Sequence, residues 1–169
     1  MISLKICLIG GSAVGKTSLV RRFVDGIFSE KYLTTIGVKI DKKQIDFDES
    51  AVQLLVWDIE GTDKFSGFNP RYLNGAAAYI VVLDQSRPDT LEDAISLYQQ
   101  AKVVSQSPAY LVINKSDLPS KLTQIQLDSL ADFEFSHVIT TSAKAGDNVE
   151  KLFELIAKQA SMECEPNGE

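Results

Sequence analysis

The stretch ISLKICLIGGSAVGKTSLVRRFVD constrains the fold of this chain more than any other. Residues 2–9 form an apolar, β-branched run, residues 10–17 read GGSAVGKT, and Leu19, Val20 and Phe23 follow at helical spacing. The middle segment matches G-x-x-x-x-G-K-[ST], a loop that leaves a buried strand, wraps phosphate with its backbone N–H groups and opens a helix. A chance glycine-rich turn needs neither flank, so the strand, loop, helix order favours a phosphate-binding loop. N–H groups drawn from Gly10, Ser12, Ala13, Val14, Gly15, Lys16, Thr17 and Ser18 are the candidates to converge on phosphate oxygens. Lys16 would set a point charge at the β and γ phosphates, and the Thr17 hydroxyl would supply an oxygen to Mg²⁺.

Further apolar runs recur at residues 51–57, 77–83, 109–113 and 136–141, with helical patterns between most of them. That alternation predicts a largely parallel sheet covered by helices on both faces, which is why the runs are continuous instead of alternating. Residues 37–47 and 51–58 are separated only by Asp48, Glu49 and Ser50, so they read as an antiparallel hairpin and make the sheet mixed. Helices are expected at 16–25, 67–74, 89–105, 122–130 and 147–161. In the last, Val149, Leu152, Phe153 and Ile156 make a stripe suited to docking on the sheet, and Gly146 or Asp147 can begin the helix.

A chain of 169 residues with 44% apolar content supports one well-buried core, and one domain is expected. Its net charge of −6 argues against a nucleic-acid or anionic-membrane surface, since both demand clustered Lys and Arg. Arg21 with Arg22 and Lys42 with Lys43 are short clusters that read as solvated faces. Two cysteines cannot build a disulfide framework; Cys7 reads as a small core residue, and a reducing, cytoplasmic setting is expected. The tail MECEPNGE does not form a C-a-a-X box, so no direct membrane anchor is expected in this chain. His137, the only histidine, follows Ser136 at the start of a strand and reads as a solvated or edge residue.

Two more motifs give the loop its context. LLVWDIEG at 54–61 is an apolar strand ending in Asp58, with Gly61 three residues on. Alone this is a common strand end; after a phosphate loop it is where a carboxylate reaches Mg²⁺ through a water, while Gly61, lacking Cβ, brings its N–H to a γ-phosphate. NKSD at 114–117 follows the run AYLVI. Asp117 can accept from the N1–H and N2 amine of guanine, a pattern adenine cannot offer, with Asn114 holding the loop and the Lys115 stem along the ring. A phosphate-loop kinase would leave NKSD and TSAK (141–144) without a role.

With these motifs in order, the chain from about residue 2 to 160 resembles a Ras-superfamily small GTPase, nearest the Rab and Ras branches. The resemblance implies an α/β P-loop NTPase fold, a six-stranded mixed sheet with one antiparallel strand flanked by five helices, and GTP or GDP with Mg²⁺ at the carboxyl ends of the strands. KYLTTIGV at 31–38 resembles the family's first switch, where Thr35 would meet Mg²⁺ through its hydroxyl and the γ-phosphate through its backbone. Phe28 stands where the family sets an aromatic ring against guanine. TSAK resembles the last base-binding loop, with Ser142, the Ala143 N–H toward guanine O6, and Lys144 packing nearby. Effectors, exchange factors and GTPase-activating proteins are the implied partners, bound through switch segments 30–38 and 59–70 of a monomer.

The second switch departs from the family pattern D-T-A-G-Q-E: this chain reads Asp58, Ile59, Glu60, Gly61, Thr62, Asp63. Thr62 lacks the carboxamide and reach with which the family's Gln orients the attacking water, so slow intrinsic hydrolysis is expected. Lys16, Thr35, Gly61, Thr62 and Glu60 are the candidate catalytic group, with Thr17, Thr35 and Asp58 the candidate metal group. Glu60 replaces a small Ala beside the γ-phosphate, leaving three readings: its carboxylate points away, GTP affinity suffers, or the carboxylate itself positions the water. Ser12 and Ala13 occur in the Rab and Rho patterns respectively, although a side chain at position 12 can crowd an incoming arginine. Arg21, Arg22 and Arg71 do not match a built-in arginine finger. Trp57 and Tyr72, with Ile40 where Rabs carry Phe, resemble the aromatic patch that Rab effectors contact; Trp57 can equally be strand-end packing. The rival function is a guanine-nucleotide-binding interaction module with negligible turnover.

Overall fold

Each apolar run becomes a strand in the computed structural model, which describes residues 1–31, 35–62 and 67–164. The strands are β1 (Ile2–Gly10), β2 (Val38–Asp46), β3 (Ala51–Ile59), β4 (Ala78–Asp84), β5 (Ala109–Asn114) and β6 (His137–Thr140). They lie in the order β2-β3-β1-β4-β5-β6, parallel except for the β2–β3 hairpin. β4 (AYIVVLD) and β5 (AYLVIN) are buried along their whole length, as continuous apolar runs covered on both faces must be.

The helices are α1 (Lys16–Asp25), α2 (Asp89–Val104), α3 (Gln124–Ser129) and α4 (Val149–Cys164). On one face, α1 and α4 cover Ile6, Leu8, Val56 and Val112, and the Phe23 and Phe153 rings stack at 4.0 Å between centroids. On the other, α2 sets Leu97 and Tyr98 over Cys7, Ile9, Val81 and Leu83. Cys7 is fully buried as expected, and burial pushes its thiol up to about 12. No described helix is long and apolar enough to cross a membrane.

Four α-helices stand among the described residues where five were expected. The segment expected to be helical over 67–74 is a 3₁₀ turn at Pro70–Leu73, started by Pro70 with the Asn69 side chain accepting from the Arg71 N–H, and followed by Gly75 at φ +75°. The helix expected over 122–130 shortens to α3, which opens with a reciprocal capping box between Thr123 and Gln126 and passes into a 3₁₀ turn at Leu130–Asp132. α4 starts at Val149, because Gly146 and Asn148 are left-handed (φ +83° and +59°) and cannot belong to a right-handed helix. His137 opens the exposed edge strand β6, and its ring stacks on Tyr110.

Parallel register sets the site. Leu8 pairs with Asp58, Gly10 with Val82, and Asp84 with Asn114, so the carboxyl ends of β1, β3, β4 and β5 meet at one edge of the sheet. Gly10 is required there: a Cβ would lie 2.6 Å from the Val82 carbonyl oxygen.

Candidate functional site

At that edge the phosphate loop turns its carbonyls inward to protein donors. The Lys16 ammonium donates to the Gly10 and Gly11 oxygens (3.2 and 3.1 Å), Arg87 Nη2 to Ser12 (2.9 Å), Lys115 Nζ to Ala13 (3.0 Å) and Asn114 Nδ2 to Val14 (3.0 Å). Five successive carbonyls are thus satisfied from below. Gly15 allows the last contact: at φ +103° its absent Cβ would sit 2.3 Å from Asn114 Nδ2. Lys16 is 5% exposed, and burial lowers its pKa to about 8 against the opposing pull of Asp58.

Beside it, Thr17 Oγ1 and Thr35 Oγ1 lie 2.7 Å apart, and both hydroxyls reach Asp58 Oδ2 (2.6 and 3.0 Å). Asp58 is 1% exposed, its Oδ1 has no hydrogen-bond partner, and burial raises its pKa despite the Thr17 bond and Lys16. Two hydroxyls and a buried carboxylate with an orphaned oxygen fit a hard divalent cation that takes few protein oxygens. Among the described residues no cluster of three or more His, Cys, Asp or Glu is suited to a metal.

The other end of the site is built by NKSD and TSAK. Asn114 Oδ1 accepts from Thr141 Oγ1 (3.0 Å), and Asp117 Oδ1 accepts from Ser142 Oγ (2.7 Å), which leaves Oδ2 of Asp117 unengaged by that bond. A cavity of about 540 Å³ joins the two ends. It is lined by Ser12, Ala13, Gly15, Lys16, Thr17, Ser18, Phe28, Thr35, Asp58, Glu60, Gly61, Asn114, Lys115, Asp117, Ala143 and Lys144. Gly10, Val14, Thr62 and Ser142 do not line it. Val14 and Ser142 are buried beneath the site, and Thr62 donates its N–H to the Gly10 carbonyl at 3.2 Å. Asp63, with the rest of 63–66, residues 32–34 and the tail beyond Cys164, lies outside the described residues.

Three residues that the motifs did not reveal organise this arrangement. Asp84, 1% exposed at the end of β4, accepts from the Ser86 N–H (2.9 Å), Ser86 Oγ (2.7 Å), Arg87 Nε (3.1 Å) and Lys115 Nζ (2.9 Å). Burial alone would raise its pKa, but the bonds from Ser86, Lys115 and Arg87 prevail and hold it below the usual carboxylate range. Its only sequence signal was a strand-ending Asp. Arg87 gave none, and Arg22 was read as a solvated face. Arg22 in fact donates Nε to the Ala143 carbonyl (2.8 Å) and Nη2 to that of Lys144, fixing the last base-loop candidate onto α1. Lys43 likewise turns inward, to the Phe23 carbonyl (2.8 Å) near the end of α1. Trp57 is half-buried, opposite Ile40 across the hairpin, with Lys5 Nζ 3.7 Å from its ring centroid; Ile40 is exposed.

The mixed sheet with its motifs gathered at the carboxyl ends of the strands is consistent with a P-loop GTPase fold. The family model described as "Ras family" matches residues 5–162. Similar curated proteins include human Ras-related protein Rab-30 (34% identical, covering 96% of this chain and 82% of the relative) and human Ras-related protein Rab-19 (36%, 92% and 74%). Another is Ras-related protein Rab-32B of Dictyostelium discoideum, 35% identical over 92% of this chain, which spans 63% of that relative's length. The chain belongs to the Ras family of small GTPases, on its Rab-like side.

Proposed function

We propose that this protein is a GTP/GDP switch that hydrolyses GTP slowly when alone. The observation that carries the reading is the convergence of Lys16, Thr17, Thr35 and Asp58 at one end of a cavity whose other end holds Asp117. The spacing suits a polyphosphate at the first end and a base with paired N–H donors at the second. Thr17, Thr35 and Asp58 would hold Mg²⁺, which when bound neutralises charge on the β and γ phosphates.

This chain's own groups bind and orient the substrate. Loop N–H groups cradle the phosphates, the Lys16 ammonium sits beneath them, and Thr35 and Gly61 approach the γ-phosphate from the two switches. Gly61 packs so close to the loop that a Cβ would lie 2.8 Å from the Ser12 Cα, so only glycine fits. Thr62 has a short hydroxyl where a water-orienting carboxamide is needed, which supports slow turnover. The Glu60 carboxylate accepts from the Gly37 N–H at 3.2 Å, which favours the reading in which it points away from the water over the one in which it activates it. Arg22 is committed to carbonyls 143 and 144, so an arginine finger would come from a partner. Effectors and regulators would dock on the switch face, where Ile36 is 87% and Ile40 47% exposed.

The test is the identity of the nucleotide that copurifies, read by HPLC, together with displacement of a fluorescent GDP in Mg²⁺ buffer. GTP and GDP should compete equally well while ATP fails at about 100-fold higher concentration, since a base missing paired donors would cover the Asp117 carboxylate and leave it unpaired. Equal competition by ATP would contradict the role given to Asp117.

A further inference from the structure

Position 60 carries a contact that follows from this chain's own departure. Val38 stands opposite Ile59 in the β2–β3 ladder, so Gly37 and Glu60 are the next facing pair. The Glu60 N–H donates to the Gly37 carbonyl at 2.7 Å. A regular antiparallel pair returns a second bond, from the Gly37 N–H to the backbone carbonyl of its partner. Here the Gly37 N–H donates to Glu60 Oε2 instead, at 3.2 Å. The side chain supplies the ladder's last acceptor in place of that carbonyl, and an alanine side chain has no oxygen with which to do so.

Both flanks of this pair are held. Thr35 reaches Asp58 Oδ2 at 3.0 Å two residues before Gly37, while Thr62 donates to the Gly10 carbonyl at 3.2 Å two residues after Glu60. Between Thr35 and Gly37, Ile36 is 87% exposed, and Gly37 turns the chain into β2 at φ +73°. We propose that Glu60 is a positioning residue: its carboxylate latches residues 35–37 to the end of β3, holding Thr35 at the metal group and Ile36 outward, by a contact that does not pass through the γ-phosphate. The consequence for signalling rests on the switch reading; the contact itself does not. A first switch anchored by the protein's own carboxylate keeps more of its ordered form after the γ-phosphate is lost, so the diphosphate state releases partners less completely.

The experiment is amide hydrogen exchange by NMR on the GDP-loaded protein, comparing wild type, Glu60→Ala and Glu60→Gln. The Gly37 amide should exchange about 3- to 10-fold faster in Glu60→Ala, the range expected for one lost hydrogen bond to a charged, solvent-facing acceptor. Gln, whose carbonyl oxygen can still accept, should restore most of the protection, while amides within β2 stay unchanged in both. Release of fluorescent GDP should quicken in the Ala variant and not in the Gln variant. Equal Gly37 exchange in wild type and Glu60→Ala overturns the latch, and so does failure of Gln to restore it. Absence of GTP turnover would count against the switch and leave this contact standing.

Discussion

Replacing Asp84 with Asn tests whether the two ends of the site are held as one unit. The substitution keeps the volume but removes the charge facing two cations, and turns an NH₂ group toward a set of donors. Through Lys115 Nζ (2.9 Å) and Arg87 Nε (3.1 Å) the Asp84 carboxylate positions the groups that grip the Ala13 and Ser12 carbonyls. Breaking a fully buried charge pair costs roughly 3–5 kcal/mol. The Lys115 and Arg87 side chains are 32% and 40% exposed, so water recovers part of that and the expected loss is about 2 kcal/mol. In urea, with a slope of about 2 kcal/mol per M, the unfolding midpoint should fall by about 1 M. Loosening two loop carbonyls should also weaken GDP binding about tenfold, equivalent to roughly 1.4 kcal/mol. The acid limb adds a signature. The folded carboxyl takes up its proton less readily than the unfolded one at about 3.9, so its stabilisation is complete above that pH and is lost as pH falls through the lower folded value. The Asn variant should therefore lose less stability than wild type across that acid range. An unchanged midpoint would refute the energetic account, and a lowered midpoint with intact GDP affinity would refute the link to the phosphate loop.

Two other substitutions probe the ends of the cavity. Arg22→Ala removes both donors from carbonyls 143 and 144, and GDP should bind roughly 5- to 10-fold more weakly by fluorescence titration, with little change in thermal midpoint. Asp58→Asn should instead move stability and metal-dependent binding in opposite directions. Burial raises the folded pKa of Asp58, so above its unfolded value the ionised carboxylate works against the fold; the neutral amide should stabilise the nucleotide-free protein at pH 7 and abolish the dependence of GTP affinity on Mg²⁺.

The fold was legible because β-branched apolar runs such as AYIVVLD belong to strands covered on both faces, and the motifs sit just beyond the strand ends where parallel register brings them together. Most of the cavity lining followed from those motifs. Asp84, Arg87 and Arg22 escaped because the contacts that tie them to the site, to Lys115, the Ser12 carbonyl and the Ala143 carbonyl, cross long sequence separations for which no local spacing exists. The short 3₁₀ turn at Pro70–Leu73 escaped because its four residues show the same apolar pattern as one turn of helix. Glu60 was visible as a departure, but its direction depends on the β2–β3 register, which sets Gly37 opposite it.

Single-turnover GTP hydrolysis with Mg²⁺ on wild type and Thr62→Gln addresses the central claim most directly. A site complete except for its water-orienting group should show a slow but measurable wild-type rate that rises at least about tenfold in Thr62→Gln, at least 1.4 kcal/mol off the barrier. Phosphate release at the uncatalysed rate in both proteins, with GTP demonstrably bound, would contradict the account and leave a guanine-nucleotide-binding module in its place.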